Sequence, residues 1–244
     1  MIIFKPELHS YVIEEKPEIT LTSVSKVIEL LKPKFDRDTI SKNYAKKHNL
    51  TQEEVLAKWD AKNKKALERG TAWHEEQERL HLIDNLKGYE TTSSDNRICL
   101  DISQLKPGKY CELIIPYLPE FLIGTADIIE INEDKTFKIA DWKTNEKLEF
   151  QGTAYFKPEL KRKVIEKMYH PVEHLDNVNW NHYQLQLSLY SYFLEAYGFK
   201  FKEGEIRHVI YEDNIPTEVK VYPIQYMKKE VQSILRWYSV THNF

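Results

Sequence analysis

The chain has 244 residues, of which 41% are hydrophobic, 30% charged and 12% aromatic. This apolar content excludes a disordered chain, and no segment approaches the ~20 uninterrupted apolar residues of a membrane-spanning helix. The formal net charge of -3, from 35 Lys and Arg against 38 Asp and Glu, excludes a general basic coat for nucleic acid.

Positive charge is nevertheless concentrated locally. Residues 26–70 carry 12 Lys and Arg against 7 Asp and Glu, and residues 154–170 carry 5 against 2. The acidic surplus therefore lies elsewhere, and the net charge neither supports nor excludes a polyanionic partner.

Cysteine content and the first residues indicate the compartment. Only Cys99 and Cys111 are present, too few for a disulfide scaffold or a four-cysteine iron–sulfur cluster. The first seven residues have neither the basic start nor the small-residue cleavage site of a signal peptide. We therefore expect a protein of the reducing cytoplasm.

The first half of the sequence predicts helices. Thr22 or Ser23 caps a helix that Pro33 ends, and a second helix follows over about 36–48. Thr51 and Glu54 have the spacing of a capping box, which opens a long polar helix toward residue 86.

From residue 110 the pattern changes to short β-branched runs. Residues 111–115, 121–131 and 136–143 predict strands, with a hairpin turn at 132–135. The elements that follow are a helix over about 180–197, strands at 206–211 and 218–222, and a helix over about 225–238. No linker is visible, so this order predicts one domain over 1–244, of the α/β class, with a mixed sheet covered by helices.

The predicted hairpin brings two acids and a lysine together. Asp127 and Asp141 are equally distant from the turn and therefore lie near-opposite each other, and Lys143 projects from the same face as Asp141. Mg²⁺ or Mn²⁺ between the carboxylates would relieve their repulsion, and the lysine would hold or deprotonate an attacking water. The alternative is a surface hairpin in which the lysine forms ion pairs with both acids.

A second candidate cluster lies on the long helix. Gly70, His74 and Glu78 are spaced four residues apart and share one face, and the glycine leaves room for a neighbouring strand or a ligand. The alternative is an ordinary solvated histidine on a polar helix. A third cluster, Gln186 and Tyr190, interrupts an apolar helix face, where an unpaired glutamine would be costly to bury.

Four short motifs occur in order along the chain. They are Gly-Thr-x-x-His at 70–74, Gly-Thr-Ala-Asp at 124–127, Asp-Trp-Lys-Thr at 141–144 and Gln-x-x-x-Tyr at 186–190. Together they resemble the RecB-type branch of the PD-(D/E)XK nuclease superfamily, over roughly residues 70–197. The resemblance implies a restriction-endonuclease-like core at 70–244 with a helical N-terminal extension at 1–69.

The resemblance also implies roles for particular residues. The implied metal ligands are His74, Asp127, Asp141 and the backbone carbonyl of Trp142. Lys143 would position or activate water, and Glu78 and Glu112 would be additional acids near the metal. The residues implied to contact the substrate are Thr144, Gln186 and Tyr190, of which the last two could instead brace the lysine.

The sequence departs from the family pattern in two respects. Ala126 replaces the proline that names the superfamily, which removes no ligand. The cysteines that hold an iron–sulfur cluster in some relatives are missing, so the implied cofactor is Mg²⁺ or Mn²⁺ and no iron–sulfur cluster.

The function implied by the resemblance is a metal-dependent DNA exonuclease acting at duplex ends or single strands. It would serve recombination, repair or replication in the cytoplasm of a bacterial or phage-infected cell, with a possible partner protein from those processes. The alternatives are an endonuclease or junction resolvase, a non-catalytic DNA-binding or protein-interaction module, and a hydrolase of another phosphoester.

Basic stretches would follow the phosphate backbone in this interpretation. They are residues 157–167 and the cations Lys62, Lys64, Lys65 and Arg69. The aromatic candidates for base stacking are Tyr44, Trp59, Trp73 and Tyr155.

Overall fold

The architecture was obtained from a computed structural model that describes residues 2–5, 10–85, 99–157 and 161–242. The strands are β1 Ile2–Lys5, β2 Ser10–Ile13, β3 Thr22–Ser23, β4 Gly108–Tyr117, β5 Leu122–Ile131, β6 Thr136–Lys143, β7 Tyr155–Lys157, β8 Arg162–Val164, β9 Lys200–Glu212 and β10 Ile215–Pro223. The α-helices are α1 Val24–Leu30, α2 Arg37–His48, α3 Gln52–Asn85, α4 Asn179–Ala196 and α5 Lys228–Thr241.

The helix starts follow the local capping chemistry. The Ser23 hydroxyl accepts a hydrogen bond from the backbone N–H of Lys26 at 3.3 Å, which fixes the start of α1. Thr51 and Glu54 form the reciprocal capping box, with backbone-to-side-chain distances of 2.7 and 3.2 Å. These contacts confirm the predicted starts of α1 and α3.

The central sheet is mixed, as predicted. Its strand order is β10-β9-β6-β5-β3, and β4 pairs with the other edge of β5. The pairs β4–β5, β5–β6 and β9–β10 are antiparallel, whereas β6–β9 and β3–β5 are parallel. Helix α4 links the hairpin to β9 and supplies the crossover that a parallel β6–β9 pair requires.

Helices cover both faces of the sheet, which makes the fold α/β. The main core joins α1, α4 and α5 to one face, with Phe137 and Phe193 fully buried. On the other face, Trp73 of α3 packs against a smaller cluster around Trp142. Among the described residues no helix is long and apolar enough to cross a membrane.

The predicted helical extension at 1–69 is wrong for its first part. The strands β1 and β2 form an antiparallel hairpin and β3 joins the central sheet, so this part contains strands. Phe4 and Tyr11 of this hairpin pack on the cluster that contains Ile123, which explains why an apolar β-branched segment is extended here. Helix α3 runs without interruption through residues 69 and 70, in agreement with the long helix predicted from residue 51.

Candidate functional site

The site lies at a gap in the edge of β5. This edge pairs with β6 at residues 128–131 and with β3 at residues 122–123, while β4 occupies the opposite edge. Residues 124–127, the Gly-Thr-Ala-Asp motif, therefore lie between two partner strands. The pairing of Ile128 with Ala140 confirms the predicted register, in which Asp127 and Asp141 come next.

The strands change face at this point. In β5 both Ala126 and Ile129 pack in the main core, although residues three apart on a regular strand face opposite sides. In β4 the same holds for Tyr110 and Leu113, and Glu112 between them has a left-handed φ of 52°. A non-glycine residue in this region is uncommon inside a strand, and such strain is concentrated at functional sites.

Three acids consequently lie in a row across β4, β5 and β6. The ladder register places Glu112 opposite Asp127 on one side, and Asp141 follows on the other. All three are buried, with relative exposures of 8%, 8% and 2%. The backbone N–H of Trp142 donates to Asp127 Oδ2 at 2.7 Å and holds that carboxylate in place.

His74 of α3 completes the cluster. Its Nδ1 lies 3.6 Å from Glu112 Oε1 and 3.6 Å from Asp127 Oδ2. One ligand atom from each of these three residues falls within 4.8 Å of the others, which is a spacing that could hold one metal ion. The group therefore offers one imidazole nitrogen and two carboxylate oxygens as ligand atoms.

Mutual repulsion and burial perturb the protonation of this cluster. Burial disfavours the charged imidazole of His74, but a hydrogen bond to Glu112 and attraction to the three acids outweigh it and raise the pKa to about 9. Burial, with repulsion from Asp141, raises the pKa of Asp127 well above its ordinary value. Both shifts favour binding of a proton at this cluster, and a divalent cation would compete with the proton for the same groups.

Lys143 is fixed by α4. Its Nζ lies 2.5 Å from Asp141 Oδ2, donates to Gln186 Oε1 at 3.2 Å, and sits 4.5 Å from the centre of the Tyr183 ring. The side-chain amide of Gln186 in turn donates to the Tyr190 hydroxyl at 3.0 Å. Gln186 and Tyr190 thus brace the lysine, and Tyr190 is itself only 3% exposed.

Gly124 creates the space for the Tyr190 ring. A Cβ at this position would lie 2.0 Å from Tyr190 Cε1, closer than any packed side chain tolerates. The glycine of the motif therefore allows α4 to approach the unpaired part of β5 and to deliver Gln186 to Lys143.

We expect Gly124→Ala to destabilise the protein by about 1–3 kcal/mol, because the ring must leave its position. Urea unfolding measures this loss. Adding Tyr190→Leu to Gly124→Ala should recover part of it, since the smaller side chain removes the clash. Equal losses in the single and double variants would show that the ring is not the obstacle.

Gly70 has the corresponding role on α3. A Cβ there would lie 3.2 Å from Thr144 Oγ1, so the glycine permits close contact with the end of β6. One turn before His74, the Arg69 guanidinium donates to the Thr144 carbonyl at 2.7 Å and lies over the Tyr211 ring at 4.4 Å. These contacts set the position of His74 over the acids.

The predicted metal ligands are brought together only in part. His74 and Asp127 meet, but the third member of the group is Glu112, whereas Asp141 is paired with Lys143. Trp142 buries its indole against Trp73, with ring centres 5.5 Å apart, and offers its backbone N–H to Asp127.

Four of the predicted site residues line one cleft. It has a volume of about 480 Å³ and runs between α3 and the strand ends. The predicted site residues in its wall are His74, Glu78, Glu112 and Thr144. The wall on the α3 side also includes Leu67 and Thr71, which are exposed to solvent.

Sequence reasoning missed the contribution of the N-terminal hairpin. Tyr11 of β2 forms a hydrogen bond of 2.7 Å between its hydroxyl and Thr125 Oγ1, in the middle of the gap in β5. The available signal was two short apolar runs, at 2–4 and 11–13, rich in β-branched and aromatic residues, but only the fold shows that this hairpin reaches the motif.

Comparisons with known proteins assign no family. No protein-family model matches the chain, and a search of curated proteins found no significant match.

Proposed function

We propose that the protein is a metal-dependent nuclease that hydrolyses phosphodiester bonds in DNA, acting as an exonuclease at duplex ends or single strands. The observation that carries this proposal is the His74, Glu112 and Asp127 group within 4.8 Å, next to the paired Asp141 and Lys143. Its expected setting is recombination, repair or replication.

The donor set suits a hard divalent cation. Carboxylate oxygens with one imidazole are ligands that Mg²⁺ and Mn²⁺ accept, and the buried acids supply the negative charge that such an ion needs. His74, Glu112 and Asp127 would hold it, with Asp141 adjacent. When bound, the ion would polarise the phosphate and lower the pKa of a coordinated water.

The chain itself supplies a fixed positive charge. Burial disfavours the Lys143 ammonium, but attraction to Asp141 and Asp127 outweighs this and raises its pKa. Lys143 is therefore protonated at neutral pH and acts as a hydrogen-bond donor. It can hold an attacking water or stabilise charge on a phosphoryl oxygen. Because it already carries its proton, this favours a lysine that holds the water over one that deprotonates it.

A digestion panel tests the proposal directly. We expect loss of 5′- or 3′-labelled single-stranded or duplex DNA with Mg²⁺ or Mn²⁺ and none with EDTA. For variants of Lys143, Lys138→Ala is a matched control. Lys138 lies on the same strand, β6, but pairs at the surface with Glu203 at 2.5 Å. Absence of metal-dependent cleavage by the wild type would overturn the DNA nuclease and leave a non-catalytic module or a hydrolase of another phosphoester.

Closed circular DNA distinguishes the two nuclease classes. An exonuclease leaves covalently closed circles intact while it degrades the same molecule after linearisation. Nicking of the closed circle at a comparable rate would replace the exonuclease proposal by an endonuclease or junction resolvase.

A further inference from the structure

The two-stranded ribbon formed by β7 and β8 stands outside the central sheet. Tyr155 pairs with Val164, Phe156 with Lys163, and Lys157 with Arg162. The rings of Tyr155 and Phe156 are 44% and 58% exposed. A ribbon of two short strands is only marginally stable by itself, and these two adjacent aromatic rings add exposed apolar area to it.

The base of the ribbon is firmly attached. Lys167 pairs with Asp176 at 2.5 Å, and Asp176 also accepts from the backbone N–H of Gly152 at 2.8 Å. The side chain of Asn177 donates to Glu166 at 2.6 Å. These contacts anchor both ends of the ribbon to the segment just before α4.

This anchor places the ribbon near the candidate site. Helix α4 begins at Asn179, and Tyr183 and Gln186, which contact Lys143, lie in its first two turns. At ~1.5 Å per residue, Gln186 is only about 10 Å along the helix axis from its start. The ribbon and the Lys143 brace therefore flank the same end of one helix.

The cations of the ribbon differ from those predicted elsewhere for phosphate contact. Lys157, Arg162 and Lys163 form no ion pair with any residue that the structure describes. In contrast, Lys62 pairs with Glu146 at 2.6 Å, and Arg69 is bound to the Thr144 carbonyl.

The aromatic candidates for base stacking also fall into two groups, those that pack on other rings and those that do not. Trp73 packs against Trp142, and Trp59 contacts both Phe35 and Tyr44, with ring centres at 5.9 and 6.3 Å. Trp59 and Trp73 thus serve packing. The Tyr155 ring, in contrast, has no ring contact within the described part of the chain.

Each face of the ribbon combines a ring with positive charge. Residues two apart on a strand share a face, so Tyr155 lies with Lys157 and its partner Arg162, while Phe156 lies with its partner Lys163. Aromatic rings beside unpaired cations are the chemistry that binds single strands, in which bases stack and phosphates are neutralised.

We propose that residues 155–157 and 161–165 form a binding arm for single-stranded nucleic acid that leads the strand toward the candidate site around Lys143. This inference rests on the proposed function and specifies its substrate as a single-stranded segment. Bases stack on Tyr155 and Phe156, and Lys157, Arg162 and Lys163 contact phosphates.

Binding can be measured apart from cleavage. Fluorescence anisotropy of a labelled single-stranded oligonucleotide in EDTA should show binding weakened by about thirtyfold or more for Tyr155→Ala with Phe156→Ala. Replacing Lys157, Arg162 and Lys163 by Gln should reduce the slope of log affinity against log salt by about 2. Lys229→Ala, at an exposed position of α5, is the control for loss of one positive charge.

The two proposals fail in different ways. Wild-type affinity in both ribbon variants, or equal losses for a duplex of the same length, would overturn the binding arm. Failure of the wild type to bind single strands would overturn it as well. Hydrolysis of a small phosphodiester such as bis(p-nitrophenyl) phosphate does not need the arm, so its absence would count against the nuclease proposal alone.

Discussion

If the proposed function holds, Lys143→Met is expected to lower the DNA cleavage rate by about 10²–10³-fold, because it removes a fixed donor that would hold the attacking water or stabilise charge on a phosphoryl oxygen. The same change should reduce the free energy of unfolding by about 3–5 kcal/mol, because it leaves the Asp141 carboxylate buried without its partner. The Lys143 side chain is 17% exposed and that of Asp141 3%, so water cannot replace the lost contact.

The double variant separates catalysis from stability. Adding Asp141→Asn to Lys143→Met removes both charges of the pair, and we expect it to recover much of the stability. Activity should not return. Single-turnover cleavage and urea unfolding, measured on both variants, give the two quantities.

A recovery of cleavage together with stability would contradict this assignment. It would mean that Lys143 acts through folding and that another group provides the charge. Lys138→Met, a change of the same kind five residues earlier on β6, should leave both quantities nearly unchanged.

The predictable parts of this fold are those with local causes. The Thr51 and Glu54 capping box starts α3 at the expected place, and the turn at 132–135 fixes the hairpin register. In both cases the residues that decide the structure lie within a few positions of each other. This locality is why Asp127 and Asp141 could be placed side by side from sequence.

The candidate metal-binding group depends on contacts that are distant in sequence. His74, Glu112 and Asp127 come from α3, β4 and β5, and no spacing rule joins them. Glu112 enters because both strands change face at the same point, whereas a regular alternation gives no reason to select it. The family resemblance named Glu112 but could not predict that it forms the group with His74 and Asp127, while Asp141 pairs with Lys143.

The errors at the N-terminus have the same origin. Strand β3 has only two residues, and its parallel pairing with β5 exists because the departure of β6 leaves that edge free. The β1–β2 hairpin packs on the cluster that contains Ile123, which lies more than 100 residues away in the sequence. Tertiary context decides these segments, and it is not available from local pattern.

Mg²⁺ is expected to raise the melting temperature by an amount that increases with pH. In the metal-free protein the pKa of His74 is raised from 6.5 to about 9, so protonated His74 stabilises the fold below pH 6.5. That contribution is lost as the pH rises toward about 9. The pKa of Asp127 is also raised, so protonated Asp127 likewise stabilises the metal-free fold at low pH, and this contribution too is lost as the pH rises.

A cation that binds these groups must displace their protons. Its affinity therefore rises as the protons leave, and it replaces the stabilisation that the metal-free protein loses. We expect a small shift in melting temperature at about pH 6 and a larger one at about pH 8.5. Calorimetric titration in buffers of different ionisation enthalpy should show proton release at the lower pH.

Two histidine variants make this result specific to the candidate site. His74→Gln should weaken Mg²⁺ binding and flatten its pH dependence. His182→Gln should preserve both, because burial, together with repulsion from Lys32, lowers the pKa of His182 to about 4 and keeps it neutral over this range. A shift independent of pH, or one unchanged in His74→Gln, would place Mg²⁺ at another position and remove the main support for metal-dependent catalysis at this cluster.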